Sequence, residues 1–452
     1  MVGINYGRVG KNLPSPYRSV GIIKSMKAGG VKLYDADPET LKLLAGTNIH
    51  VSVMVPSSEI LSVASSQESA NQWIQEHVLP YYPETMIRYI LVGNEILSYY
   101  SEEDKRMWNS VVPAMKKMKN FLKSQNISNI KFGTPLAMDA LEKTFPPSEG
   151  TFRSDIADTV MPRLLRFLNG TNSFFFIDAY PFFPWSADTK NIDLDSALLR
   201  SDKEYKDPGS NLVYTNLLDQ MLDSVIFAMA KLGYPDLKLF ISETGWPNRG
   251  DIDQPGANIY NAATYNRNII RRMTSQPPKG TPARPGVSIP TFLFSLYDED
   301  SKTGPGTERH WGLLSADGTP HYEIDLSRSK DPKDYAPLPA PENNDPYTGK
   351  VWCVAAQNAS QAELETFLDY ACSHGNGTCA AIEPGRECYL PLSLTRHSSY
   401  AFSSYWARFR SDGASCYFNG VATMTTENPS KYQSSVPSVA LLSRIRSTDL
   451  RI

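Results

Sequence analysis

The sequence predicts an α/β fold: a (β/α)8 barrel followed by a small disulfide-containing α/β module. Three observations predict it. Strand-like apolar runs alternate with helical patterns from residue 2 to about residue 325. Two of these runs end in Asn94-Glu95 and Ser242-Glu243, each a glutamate followed by a turn, which is where barrel strands carry chemistry. All 5 cysteines lie beyond residue 350, as in a disulfide framework joined to a cysteine-free domain.

In chain order, strands are expected at Val2–Tyr6, Val31–Tyr34, His50–Val55, Ile87–Val92, Ile130–Thr134, Phe174–Ala179, Leu237–Ser242 and Pro290–Leu296. Helices separate them. Ser101 and Asp104 make a capping-box signature. Met107, Val111, Met115, Met118 and Leu122 then follow at helical spacing and give that helix an apolar face. Lys116, Lys117 and Lys119 are its solvated side, and Pro113 inside it predicts a kink. Further helical runs cover Leu217–Lys231 and roughly Asn258–Met273. A doubly wound open sheet is the rival architecture. It needs a Gly-rich phosphate turn after an early strand, and Gly7-Arg8-Val9-Gly10 is a poor one. The barrel is preferred.

Past Asp325 the composition changes, and four segments are expected: a barrel over 1–325, a Pro-rich extended linker over 326–350, a module over 351–432 and a polar tail over 433–452. The tail lacks the long hydrophobic run of a lipid-anchor signal. Net charge of -3 and a pI near 6.1 give no reason to expect nucleic acid or an anionic membrane. No apolar stretch is long enough to span a bilayer. Met1 leads straight into the first strand, so a signal peptide is expected to be absent or already removed. The clustered cysteines favour a secreted, extracellular or cell-wall location, as do the sequons at Asn126, Asn169, Asn358 and Asn376. A monomer without metal or cofactor is expected.

In a barrel with these strands, Glu95 follows the fourth and Glu243 the seventh, so both project into one mouth from opposing walls. Two facing carboxylates can split a glycosidic bond, one protonating the leaving oxygen while the other attacks or activates water. Their surroundings must push the two pKa values apart. A single strand-end glutamate is as readily a structural ion pair; two in this register favour catalysis. Aromatic side chains lie near both in sequence: Tyr34, Tyr180, Phe183 and Trp246. Core packing claims most aromatics, but positions after strand ends favour a sugar-stacking cleft. The charged loop with Glu299, Lys302 and Glu308-Arg309-His310-Trp311-Gly312 follows the eighth strand, where it can orient hydroxyls and tune the carboxylates.

Gly3-Ile4-Asn5-Tyr6-Gly7, Val92-Gly93-Asn94-Glu95, Ile241-Ser242-Glu243-Thr244-Gly245-Trp246-Pro247 and the Glu299 to Gly312 block together resemble glycoside hydrolase family 17, and within it the plant endo-1,3-β-glucanases. The resemblance covers residues 2 to about 325. It implies a barrel, a retaining double displacement and a β-1,3-glucan substrate such as callose. It also implies Glu95 as general acid/base, Glu243 as nucleophile, and Asn94, Glu299, Lys302 and Glu308 as their supporting cluster. Tyr34, Tyr180, Phe183, Trp246 and Trp311 are the substrate-lining candidates.

The C-terminal segment resembles carbohydrate-binding module family 43 through Trp352-Cys353, Tyr370-Ala371-Cys372, Cys379, Cys388-Tyr389, Tyr400-Ala401-Phe402 and Cys416-Tyr417-Phe418. Family pairing implies Cys353–Cys416 and Cys372–Cys379. Its sixth cysteine is missing here, which leaves Cys388 as a free thiol. Thr378 and Tyr417 replace aspartates of the family pattern, and Ser403 replaces an asparagine. Three functions stay open at this point: a glucan endo-hydrolase, a transglycosylase on the same site, and a catalytically silent wall-binding protein, which the intact glutamates disfavour.

Overall fold

The computed structural model describes residues 1–429 together with 439–440. Its centre is one nine-stranded sheet in which every pairing is parallel. The strands are β1 (Val2–Tyr6), β2 (Gly30–Leu33), β3 (His50–Val55), β4 (Ile87–Val92), β5 (Lys131–Gly133), β6 (Pro135–Ala137), β7 (Phe175–Asp178), β8 (Leu239–Thr244) and β9 (Thr291–Leu293). Their order runs β5-β4-β3-β2-β1-β9-β8-β7-β6. The two ends of that order, β5 and β6, are separated in the chain only by Thr134. They are halves of one stave, so the sheet curls into a ring of eight, closed at this stave by the chain itself. Proline has no N–H to give a ladder, which accounts for a break at Pro135.

The ring's interior is filled in layers. Met54, Tyr89, Leu91, Phe176, Phe240 and Phe292 form a separate buried cluster within it. Rings of Phe176, Phe240 and Phe292 meet at centroid distances of 4.9 and 5.1 Å. Space for them comes from glycines. A Cβ on Gly3 would stand 2.4 Å from the Phe292 ring, and one on Gly133 2.2 Å from Phe176. The outer core lies between the staves and the helices. Helix α1 (Glu102–Ser124) has the expected capping box at Ser101 and Asp104, and buries Val111, Met115, Met118 and Leu122. It is one continuous helix through Pro113. Helices α2 (Leu217–Lys231) and α3 (Ile259–Met273) follow where their apolar periodicity put them.

In the C-terminal segment, β10 (Lys350–Ala355) pairs antiparallel with β11 (Ala422–Thr425) and with Val439–Ala440. Helix α5 (Leu394–Phe409) packs on this small sheet, and α4 (Gln361–His374) packs on α5. Cys353–Cys416 and Cys372–Cys379 are bonded, and Cys388 is a buried free thiol. Ser403 takes a hydrogen bond from the Cys353 N–H and returns one to the Cys353 carbonyl, fastening α5 to β10. The expected polar tail lies outside the described residues except for Val439–Ala440, which form a strand. The Pro-rich segment carries a short 3-10 turn at Pro332–Asp334 and is not free. The Asn258 side chain caps α3 through its oxygen and donates from its nitrogen to the Glu342 carbonyl and to Asn344.

Gly133→Ala should destabilise the barrel by roughly 1–3 kcal/mol, because the new methyl overpacks against a ring already held on its other faces. Thermal unfolding followed by near-ultraviolet circular dichroism checks this; an unchanged midpoint would show that the Phe176 layer has slack.

Candidate active site

Glu243 is the penultimate residue of β8, buried at the end of the ring where the strands finish. Three donors hold its carboxylate. Lys32 Nζ lies 2.6 Å from Oε1, the Tyr34 hydroxyl donates to the same oxygen at 2.5 Å, and the Tyr180 hydroxyl donates to Oε2 at 2.6 Å. Lys32 comes from β2, where it is in register with Asn5 on one side and Ser52 on the other. These three form a polar layer within the ring, and Lys32 has no exposure at all. Its ammonium also donates to Asn94 Oδ1 at 3.0 Å. Sequence reasoning missed it, although a lysine inside the apolar run Gly30–Leu33 was the available signal.

Glu95 stands beyond the end of its strand, not on it. β4 stops at Val92, Gly93 has φ +73°, and Glu95 itself has φ +48°, a left-handed conformation uncommon for a residue with a Cβ. Its N–H donates to the Pro135 carbonyl at 3.0 Å, so the broken stave fixes the turn. One carboxyl oxygen from each of Glu95, Asp178 and Glu243 lies within 4.8 Å of the others. Asp178 ends β7 and accepts a hydrogen bond from the Ser242 hydroxyl. It too was missed; nothing in its sequence neighbourhood marks it.

The three carboxyls do not ionise alike. Burial pushes Glu95 up to about 8, assisted by the charge of Glu243 and opposed by Lys32. Burial also raises Asp178 well above the usual carboxylate range, and Glu243 adds to it. Burial would raise Glu243 as well, but the Lys32 charge and the hydrogen bonds of Lys32, Tyr180 and Tyr34 outweigh it and hold this carboxyl below its ordinary value. The surroundings therefore favour charge on Glu243 and the protonated form on Glu95 and Asp178. Among the described residues this trio is the one group close enough to share a metal ion, but Lys32 already supplies a cation to Glu243.

The expected supporting cluster flanks the trio. Glu299 is buried, accepts from the Val9 N–H at 3.0 Å, and pairs with Lys302 at 3.1 Å. Gly7 admits it, since a Cβ there would meet Glu299 Oε1 at 2.2 Å. Burial lowers the Lys302 ammonium's pKa, but Glu299, Glu308 and Glu243 outweigh this and raise it. Burial raises Glu308, with Lys302 opposing. Asp298 anchors the loop by accepting from the Gly312 N–H, Asn248 and His321; burial notwithstanding, its histidine partners and Asn248 hold it down at about 2.

Of the aromatic candidates, Tyr34, Tyr180 and Phe183 are half-buried around the carboxyls. Trp246 and Trp311 are not cleft walls. Trp246 is 1% exposed, packed among Phe182, Trp185 and Tyr265, with its indole N–H on the Gly256 carbonyl. Trp311 is 3% exposed and lies behind Tyr180, at 4.9 Å between centroids. Trp311 also packs on Phe183 and Phe294, so both indoles are covered by other aromatic rings.

Comparison with known proteins gives a consistent result. Residues 2–326 match Glycosyl hydrolases family 17, and residues 351–423 match the X8 domain. A relative from Arabidopsis thaliana, "Probable glucan endo-1,3-beta-glucosidase A6", is 56% identical over 97% of this chain and 91% of its own length. Glucan endo-1,3-beta-glucosidase 7 of the same organism is 36% identical over 95% of this chain and 82% of its own. Among solved structures, CJP38, a beta-1,3-glucanase and allergen of Cryptomeria japonica pollen, superposes with a TM-score of 0.68 at 38% identity, covering 73% of this chain and 99% of that one.

Lys32→Met should raise the pKa of Glu243, because burial then acts without its main opponent. Carboxyl carbon chemical shifts followed against pH would report it. A Glu243 titration at the wild-type position would mean that the two tyrosines alone hold the charge.

Proposed function

The chain belongs to the glycosyl hydrolases family 17, and from that premise we propose that it is a retaining endo-hydrolase of 1,3-β-D-glucosidic linkages in β-1,3-glucan. Glu95, which keeps its proton to about 8, protonates the glycosidic oxygen as the bond to the anomeric carbon breaks. Glu243, held ionised by Lys32 and two tyrosines, attacks that carbon from the other face and forms a glycosyl ester. Glu95, now a carboxylate, takes a proton from water, which displaces Glu243 and releases the sugar with its β configuration kept. The observation that carries this reading is the spacing of the two carboxyls. One oxygen of each lies within 4.8 Å of one oxygen of the other, which is compatible with the ~5–5.5 Å of retaining pairs and favours that spacing over the about 6.5–9.5 Å of inverting ones. Asn94, Glu299, Lys302 and Glu308 orient and tune the pair, and Tyr34, Tyr180 and Phe183 bound the subsite.

The polysaccharide is the only partner the reading requires, and the protein acts as a monomer, with catalysis in residues 1–325, a linker over 326–350 and a module over 351–432. Its setting is extracellular. The two disulfides fit an oxidising compartment, the asparagines of all four sequons are exposed, and no helix among the described residues is long and apolar enough to cross a membrane.

Incubation with laminarin tests the proposal: reducing ends should accumulate, and proton NMR of the first products should show the β anomer. Glu243→Gln should lower kcat by several orders of magnitude. Glu95→Gln should slow hydrolysis of the polymer far more than that of an activated aryl glucoside, whose leaving group needs no proton. Equal damage to both would remove Glu95 from the donor role. The rate should fall as pH rises through about 8, where Glu95 loses its proton, and fall again at low pH as Glu243 gains one.

A further inference from the structure

The C-terminal module touches the barrel on two loops, and those loops belong to the catalytic site. The first follows β8 and Glu243. Ile252 from that loop packs into the module's own core, and Arg410 pairs with Asp253 at 3.5 Å. The second is the charged loop with Glu299, Lys302 and Glu308. Ser415 donates to the Gly304 carbonyl at 2.8 Å, and the Tyr417 ring lies 3.6 Å from the Arg309 guanidinium. The two loops are also braced to each other. Asp251 accepts from the Gly306 N–H at 2.7 Å, and Gln254 both accepts from the Thr307 N–H and donates to its hydroxyl.

Arg309 is the link inward. Its Nη1 donates to the carbonyls of Lys302 and Gly304, both at 3.1 Å, so one guanidinium fixes the turn on which the Lys302 ammonium stands. That ammonium lies 3.1 Å from Glu299 and 4.4 Å from the centre of the Phe294 ring. A guanidinium stacked on an aromatic face keeps its in-plane N–H groups free to donate. Tyr417 thus covers Arg309 without competing for those donors. An aspartate at position 417, as in the family pattern, would pair with the guanidinium instead and draw it from the loop. The linker strengthens the arrangement, since Gly256 donates to the Asn343 carbonyl at 2.8 Å on the same loop as Ile252 and Asp253.

We propose that the module acts as an intramolecular clamp on the catalytic loops, with Tyr417 and Arg410 as positioning residues that work through Arg309 and Asp253. This rests on the reading of Glu95, Glu243 and the Lys302 cluster as the hydrolytic site. The clamp acts on the catalytic machinery whatever the length of the glucan. A module that served only to bind polysaccharide would matter for long chains alone.

Full-length Tyr417→Ala, Tyr417→Phe and Arg410→Met are to be assayed on laminarin and on a soluble β-1,3-linked pentasaccharide. Tyr417→Ala and Arg410→Met should each lower kcat roughly tenfold on both substrates with KM little changed, as small misplacements of catalytic groups do. Tyr417→Phe keeps the aromatic face and should restore the wild-type rate. Amide hydrogen exchange over residues 299–309 should quicken in the two damaged variants and not in Tyr417→Phe. Loss confined to laminarin, equal loss in Tyr417→Phe, or unchanged exchange in that loop would overturn the clamp. Should Tyr417→Ala fail to fold, Arg410→Met and Ser415→Ala decide by the same readouts. Wild-type protein inactive on both glucans would defeat the hydrolase reading instead, and the exchange measurement would still decide the clamp.

Discussion

The ion pair between Lys32 and Glu243 is the contact on which the site depends. Burying two charges costs several kcal/mol each, and their attraction offsets this only where geometry is close and further hydrogen bonds satisfy the remaining atoms. The ring supplies both conditions. Strand register sets Lys32 in the same layer as Asn5 and Ser52, and the two tyrosines and Asn94 complete the coordination. Remove the lysine, and burial would drive all three carboxyls toward the neutral state, leaving no carboxylate for the proposed displacement. The ring is also what makes the pair possible, since the curl of the sheet lets β2 reach β8 across the interior, three staves away.

Much of the fold was legible because the staves are written as apolar runs. Val2–Tyr6, His50–Val55 and Ile87–Val92 agree residue for residue, as does Leu217–Lys231 among the helices. The disagreements have local causes. Pro135 divides the fifth stave, which composition alone reads as ending near Thr134. The last stave was expected to reach Leu296 but forms a ladder only over Thr291–Leu293. Beyond it the N–H groups turn to Thr244, Trp311 and Asn5 in succession. Glu95 and Glu243 were legible because a carboxylate at the end of an apolar run is unusual. Lys32 and Asp178 were not, because one lysine or aspartate within a strand carries no sign of which face it takes. That face is decided by the register of the neighbours, a property of the closed ring and not of the segment.

The aromatic residues divide by what their side chains contact. Tyr34 and Tyr180 point their hydroxyls at Glu243, so their role is electrostatic as much as steric. Trp246 and Trp311 follow strand ends too, but both indoles are buried against other aromatic rings. The module shows a similar reassignment: Ser403 serves the module's own packing and Tyr417 faces the barrel.

The inventory of one lysine, one ionised carboxylate and two neutral acids has a consequence for turnover. With charge favoured on Glu243 and the protonated form on Glu95 and Asp178, the four groups, Lys32 included, sum to zero. In the proposed double displacement Glu243 loses its charge to the ester at the moment Glu95 acquires one by giving up its proton. The sum is still zero. A single negative charge moves a few ångströms across the ring and later returns, while the lysine keeps a counter-charge in the same layer throughout. A low-dielectric interior penalises any change of net charge far more than a displacement of charge at constant sum. The electroneutrality of the cluster thus lets both half-reactions run without ions entering or leaving the barrel.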